Sequence, residues 1–175
     1  MNKHYFILSG VLLILINVSI SCRSDRKEFH KPAIENLDEK ILNANKLIVK
    51  DEAKDIELLL KRYGWKMQLS GSGLYYSITD KKEGDLLQKG DKVEMNFSIT
   101  LINGEEVYNS KHDGTKTIVI EQSDEPVGLH ELLKLMRVGE KAKAIIPSHL
   151  AYGILGDNNK IPPYATLIYR IEIIK

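Results

Sequence analysis

A double proline at the mouth of an alternating strand constrains this chain more than any other feature. The stretch reads Ala151-Tyr152-Gly153-Ile154-Leu155-Gly156, then the polar Asp157-Asn158-Asn159-Lys160, then Ile161-Pro162-Pro163-Tyr164. It ends in Ala165-Thr166-Leu167-Ile168-Tyr169-Arg170-Ile171-Glu172. Each proline fixes φ at about −65° and removes a backbone donor, so Ile161-Pro162-Pro163 must be a stiff, extended approach to the strand. Rigid aromatic and aliphatic side chains around such a loop suit a small apolar pocket.

The 175 residues have room for one domain and additional segments. Lys and Arg number 25 against 24 Asp and Glu, and Lys3 is the one charged residue before Cys22, so the balance beyond it is zero. Such a chain offers no basic footprint for nucleic acid. Cys22 is the single cysteine, which excludes an intrachain disulfide. Upstream, Lys3 and His4 precede a 15-residue apolar run from Phe6 to Ile20, which ends in Ser19-Ile20-Ser21-Cys22. A cationic start, a short apolar segment and small residues at its end have the form of a secretory signal peptide over residues 1–21, and the run is too short to span a bilayer. The cysteine directly after a small residue resembles a bacterial lipobox, in which the thiol is acylated and becomes the mature N-terminus. Residues 22–36, charged and aperiodic, then read as the tether of a protein lipid-anchored through Cys22. Arg23 stands where an aspartate is associated with inner-membrane retention, so the resemblance favours the outer membrane of a cell envelope.

Over residues 37–68 the pattern predicts a helical extension. Leu37, Ile41, Ala44 and Ile48 make one apolar stripe, and Val49, Ala53, Ile56, Leu60 and Tyr63 make a second, offset by one residue. Lys61 and Arg62 suit the helix C-terminus and Gly64 its cap. The stripes are too short for a coiled coil, so packing on the chain's own domain, with Trp65 alongside, is favoured over dimerisation. Beyond Gly71-Ser72-Gly73 the period becomes that of strands. Leu74 to Ile78, Val93 to Leu101, Glu105 to Asn109 after the Asn103-Gly104 hairpin signal, Thr117 to Glu121, Lys141 to Ile146 and Ala165 to Ile174 read as strands. Leu129, Leu132, Leu133 and Met136 mark one short helix, with Pro126 in its first turn and Gly139 at its end. The fold class is α+β, a curved antiparallel sheet wrapped on one short α-helix.

From about Leu69 to Lys175 the chain resembles the FKBP-type peptidyl-prolyl isomerases. The matching pieces are Ser72-Gly73-Leu74-Tyr75-Tyr76, Gly90-Asp91-Lys92-Val93, Asn103-Gly104, Val138-Gly139-Glu140-Lys141-Ala142 and the double-proline stretch. The resemblance implies cis–trans isomerisation of X-Pro bonds in protein or peptide substrates, without cofactor or metal. The scattered His4, His30, His112, His130 and His149 show no metal-ligand spacing and read as surface residues. The same resemblance implies catalytic roles for Tyr152, whose hydroxyl bonds a substrate carbonyl, and for Phe97 as a pocket wall. It implies substrate contacts for Ile161 before the prolines, Tyr169 on the final strand and Leu129 at the pocket floor.

Two positions differ from the family pattern. Val107-Tyr108 replaces a Phe-Asp pair at the end of the hairpin, leaving Tyr108 to supply an aromatic surface. Glu125-Pro126 aligns with a Val-Ile pair whose second N–H donates to the ligand, and proline has none to give. Either Val127 supplies the donor or the contact is missing. Two functions follow: an isomerase that assists folding of envelope or secreted proteins, or a binding and chaperone module on the same fold with little isomerase activity. The order of lipobox, helical extension and isomerase-like domain, with Glu106-Val107-Tyr108-Asn109-Ser110 in the hairpin, also resembles the gliding-motility lipoproteins of FKBP type. Nothing in the sequence fixes the oligomeric state.

Overall fold

The computed structural model describes residues 34–175, with side chains except at 34–39 and 44–50. The expected signal peptide, Cys22, most of the tether, His4 and His30 lie outside the described residues, as do the side chains of Leu37, Ala44, Ile48 and Val49. The chain divides into two units, 1–41 and 42–175, and the sheet and every site residue belong to the second.

Helix α1 (Ile34–Tyr63) ends where Gly64, at φ 64°, lets the chain reverse. There the Trp65 N–H donates to Leu60 O at 3.0 Å and the Gly64 N–H to Lys61 O at 3.4 Å, which satisfies carbonyls the helix would otherwise leave open. Among the described residues its buried face is narrower than the stripe pattern suggests. Ile56 and Leu59 are buried and Leu60 half-buried, whereas Ile41, Ala53 and Tyr63 are exposed. Burial of Ile56 and Leu59 contributes roughly 1.5–3 kcal/mol each, and they pack with Ile145 and Ile168 of the sheet, flanked by Trp65, Met67 and Tyr75.

Seven antiparallel strands follow: β1 (Gln68–Leu69), β2 (Tyr75–Thr79), β3 (Lys92–Leu101), β4 (Glu106–Asn109), β5 (Lys116–Val119), β6 (Lys141–Ile146) and β7 (Leu167–Ile173). They lie in the order β1-β2-β6-β7-β3-β4, with β5 also paired to β3. β3 is shared because β5 takes its first half, Lys92 to Met95, and β4 its second half, Ser98 to Thr100. Between strands sit two short helices, α2 (Ser110–Asp113) and α3 (Val127–Lys134), and a 3₁₀ turn at Ser148–Leu150. The hydrophobic pattern does not show β1, α2 or the 3₁₀ turn, each too short to carry a period. It also runs α3 on to Gly139, but the helix closes at Lys134, with Leu135 and Met136 in tighter turns bonded to Leu132 O and Leu133 O.

Alternation gives the sheet two faces. Val93, Met95, Phe97, Ile99 and Leu101 of β3 and Leu167, Tyr169, Ile171 and Ile173 of β7 are buried on the inner face. They share one core with Leu129, Leu132, Leu133 and Met136. Gly128 allows α3 this approach, since a Cβ there would stand 2.6 Å from Ile146 Cγ2.

Candidate functional site

A cavity of about 490 Å³ opens at the edge of this core, lined by Phe97, Ile99, Tyr108, Lys116, Tyr152 and Asp157 among others. Each is brought there by a different element. Phe97 and Ile99 follow the inward alternation of β3. Tyr108 arrives through a β-bulge: Ile99 pairs with Tyr108 but Thr100 pairs with Glu106, leaving Val107 as the extra residue. Strict alternation would send one of two consecutive residues outward, whereas the bulge turns both inward. Val107 is buried in the core and Tyr108 packs against it, facing the cavity. Thus Val107 supports the wall from behind and does not line it.

Tyr152 comes from the loop after the 3₁₀ turn. That turn is tied to α1, because Glu52 accepts from the Ser148 N–H at 2.6 Å, the Ser148 hydroxyl at 2.9 Å and the Thr166 hydroxyl at 2.5 Å. One carboxylate therefore fixes both ends of the loop that carries Tyr152. Burial pushes the Tyr152 hydroxyl up to about 12, and the nearby Glu125 carboxylate adds to the effect. It stays protonated, and so remains a donor, across the neutral range.

Leu129, Ile161 and Tyr169 are buried in the core to which Phe97 belongs, behind the residues that line the cavity and not among them. The Tyr169 hydroxyl is also buried and has no hydrogen-bond partner among the described residues. Burial first, and then the neighbouring Tyr152 phenol and Glu125 carboxylate, raise it well above its ordinary range. Val127 does not line the cavity either: it is 67% exposed and borders a neighbouring depression with Glu121, Ser123 and His130. Pro126 sits at the N-cap of α3, its carbonyl accepting from Leu129 and His130 N–H. His130, which reads as a surface residue in sequence, is buried. Its Nδ1 accepts from the Glu121 N–H at 3.1 Å, and its Nε2 lies 3.0 Å from Ser123 O, so a neutral ring fastens that turn.

Sequence reasoning missed three polar members. Asp157 accepts the Tyr108 hydroxyl at 2.5 Å and the backbone N–H groups of Asn159 and Ile161 at 2.9 and 2.7 Å. Burial would raise its pKa, but these donors outweigh it and hold the carboxyl below its ordinary value. Lys116 lies 5.5 Å above the Phe97 ring and pairs with Glu125 at 2.8 Å. The second Glu125 oxygen is buried with no hydrogen-bond partner among the described residues. A carboxylate in the loop after Tyr152-Gly153 was the one available hint, for Asp157. Lys116 and Glu125 carry no local signal.

Among the described residues no group of His, Cys, Asp and Glu has a metal-binding arrangement. The cavity instead offers the Phe97 and Ile99 side chains, the Tyr108 and Tyr152 phenols, and the charged Lys116 and Asp157 at its rim. Residues 84–174 match the family model of the FKBP-type peptidyl-prolyl cis-trans isomerases. The chain belongs to that family. It is 33% identical over 147 residues to the FKBP-type peptidyl-prolyl cis-trans isomerase FkpA of Buchnera aphidicola, covering 81% of this chain and 60% of the relative. It is also 33% identical over 109 residues to the FKBP-type 22 kDa isomerase of Escherichia coli, covering 59% and 50% respectively. The chain thus spans one half to about two thirds of the length of such relatives. The crystal structure of Escherichia coli FkpA aligns with a TM-score of 0.63 at 27% identity, covering 100% of this chain and 82% of that one. AtFKBP13 aligns with 0.59 at 28% identity, covering 63% and 98%. Asp157 reaches Tyr108 from the loop opposite the hairpin.

Proposed function

We propose that the protein is a peptidyl-prolyl isomerase acting on proline-containing polypeptides, and that it serves as a folding helper in the cell envelope, anchored through Cys22 to the outer membrane. Family membership supports the chemistry, and the observation that carries it is the half-buried, protonated Tyr152 hydroxyl beside Phe97 and Ile99. Rotation about an X-Pro bond meets a barrier of about 18–20 kcal/mol because the planar amide is resonance-stabilised. The twisted state has less charge separation, so an apolar cavity that strips water from the imide favours it over the planar ground state. The Tyr152 hydroxyl donates to a flanking carbonyl while the bond turns. No nucleophile is needed.

A protease-coupled X-Pro peptide assay on the purified protein tests this. Turnover should exceed the uncatalysed rate, and Tyr152→Phe should reduce kcat/KM about tenfold, the worth of one neutral hydrogen bond. A rate equal to buffer that Tyr152→Phe leaves unchanged overturns it. A second reading, a binding or chaperone module with little isomerase activity, is favoured by Pro126, which removes an N–H at the cavity edge. It requires peptide binding without acceleration. The cell-envelope placement rests on the signal-like segment and Cys22, and a role in gliding motility on the hairpin Glu106-Val107-Tyr108-Asn109-Ser110. Metabolic labelling of Cys22 with a fatty acid and loss of surface spreading in a deletion strain are the expected results. Wild-type protein that takes up no more label than Cys22→Ala, or normal spreading, would remove each in turn.

A further inference from the structure

The family model covers residues 84–174, and α1 lies wholly before them. Even so, the Glu52 carboxylate of α1 is bonded into that segment at two points. Its Oε1 accepts from the Ser148 N–H and the Thr166 hydroxyl, and its Oε2 from the Ser148 hydroxyl. The sheet explains how one side chain reaches both. β6 ends at Ile146 and β7 begins at Leu167, and these two residues are paired. Ser148 and Thr166 therefore leave the sheet side by side. Ile56, one turn beyond Glu52 on the same face of α1, is buried with Ile145 and Ile168, the next pair along those strands. That apolar contact aims the carboxylate at the two strand ends.

Ser148 and Thr166 are themselves buried, so their donors need acceptors within the protein. Pro147, which precedes the 3₁₀ turn, offers no side-chain cap. Glu52 supplies the acceptor from a distant part of the chain. From Ser148 the bonds run on to Tyr152. Ser148 O accepts from the Ala151 N–H at 3.1 Å and the Gly153 N–H at 2.9 Å, the residues on either side of Tyr152. Gly153 O in turn accepts from the Tyr164 N–H at 2.8 Å, two residues before Thr166. The peptide groups that flank Tyr152 are thus fixed by Ser148, and Ser148 by Glu52. Leu150 holds the turn to the core independently, since it is buried there with Leu129 and Leu132 of α3.

We propose that Glu52 is a positioning residue for the isomerase reaction, orienting the turn so that the Tyr152 hydroxyl meets the substrate carbonyl. On this view α1 is part of the catalytic unit. The inference rests on the reading of Tyr152 as the donor to that carbonyl. A donor helps only where it is aimed, and a displacement of about 1 Å can cost on the order of a hundredfold in rate. Because Glu52 acts through one hydroxyl, its removal costs no more than removal of that hydroxyl, about tenfold.

A double-mutant cycle on kcat/KM for an X-Pro peptide tests this, using the full chain. Glu52→Ala should lower kcat/KM about fivefold to tenfold. Tyr152→Phe, which costs about tenfold in the wild type, should cost less than about twofold in the Glu52→Ala background. Effects that multiply in the double variant overturn the proposal. Glu52→Gln should stay within about threefold of wild type: its amide oxygen keeps the bonds of Oε1, and the Ser148 hydroxyl can turn to accept from the amide nitrogen. A loss in Glu52→Gln equal to that in Glu52→Ala overturns it as well. Amide hydrogen exchange locates the change. The Ala151 and Gly153 amides should exchange faster in Glu52→Ala while those of β3 and β7 do not, and unaltered exchange at Ala151 and Gly153 counts against the proposal. Should Glu52→Ala fail to fold, Thr166→Val, which removes one of the bonds and keeps the shape, enters the same cycle. There the Tyr152→Phe effect should shrink to about threefold, and a full tenfold effect overturns the proposal. Absence of wild-type turnover overturns the isomerase reading together with this role, whereas turnover with a multiplicative cycle overturns the Glu52 role alone.

Discussion

Across the Tyr152 cavity, the loop from Gly153 to Ile161 is held by its own backbone, whereas the wall facing it is held by side chains that reach over from distant parts of the chain. In the loop, Asp157 N–H donates to Ile161 O at 3.1 Å and Tyr164 N–H to Gly153 O at 2.8 Å. Asp157 closes the turn by accepting from Asn159 and Ile161 N–H. Opposite, Tyr108 is latched to Asp157 and Lys116 to Glu125. Backbone closure tolerates almost no change at its tightest point, while side-chain pairs can be exchanged at a cost of one interaction. The pieces that carry the sequence resemblance at this site, Tyr152-Gly153 and the double proline, lie on the first wall.

The largest test is at Gly156, which has φ 69° and where a Cβ would stand 2.1 Å from Ile161 O and 2.9 Å from the Pro162 carbonyl carbon. Neither atom can move without dislodging the double proline. Gly156→Ala should destabilise the protein by about 3 kcal/mol, read from denaturant midpoints. It should also depress kcat/KM more than Tyr152→Phe does. A variant of unchanged stability would show that the loop is not closed by backbone geometry.

Next comes Tyr108→Phe, which keeps the ring and removes the hydroxyl that donates to Asp157. A hydrogen bond to a charged group is worth about 1.5–3 kcal/mol, and that is the loss expected. The pH dependence fixes its origin. Asp157 is held below its ordinary value in the folded protein, so it contributes stability above the unfolded carboxyl value of about 3.9, and this is lost as pH falls through the folded one. The stability gap between wild type and Tyr108→Phe should therefore be widest near neutrality and shrink below about pH 4. A gap independent of pH would assign the effect to packing.

These two walls also mark what could be read in the sequence. The strands of β3, β6 and β7 and the core positions of α3 follow from alternation and from the spacing of Leu129, Leu132, Leu133 and Met136. Tyr152, Ile161 and the prolines are legible because each constraint acts within a few residues. Tyr108 is seen as aromatic, but its direction depends on a bulge that only pairing with Ile99 and Thr100 reveals. Glu52 lies 96 residues from Ser148, and Lys116 meets Glu125 only because β5 and the segment before α3 fold together. Charged residues of this kind have no period, so nothing local distinguishes them from solvated ones. Val127, the first residue of α3, turns its side chain to solvent, and what the resemblance assigns to it is a backbone N–H.

A smaller effect is expected at Pro126, the N-cap of α3. Pro126→Val supplies an N–H at the edge of the cavity, and one added neutral hydrogen bond in the twisted state is worth about 0.5–1.5 kcal/mol. The kcat/KM for an X-Pro peptide should rise between about twofold and tenfold. No gain would mean that the wall facing the loop makes no use of a backbone donor there.

The smallest change in stability is expected at Glu125, and it is the sharpest comparison of the two walls. One of its oxygens holds Lys116 and the other is buried without a partner, so the pair combines one favourable contact with an uncompensated desolvation. Glu125→Val removes both. Lys116 is partly exposed and can turn its ammonium to water, which spares the variant the buried orphan charge that makes breaking such pairs costly. Stability should shift by less than about 1 kcal/mol in either direction. The cavity should meanwhile become more apolar beside Tyr152, bringing the hydroxyl down from its raised value as the Glu125 charge is lost. Affinity for a proline peptide should rise. A loss of several kcal/mol on Glu125→Val would instead make the Lys116 pair a structural necessity, and would place this wall under constraints as strict as those of the loop it faces.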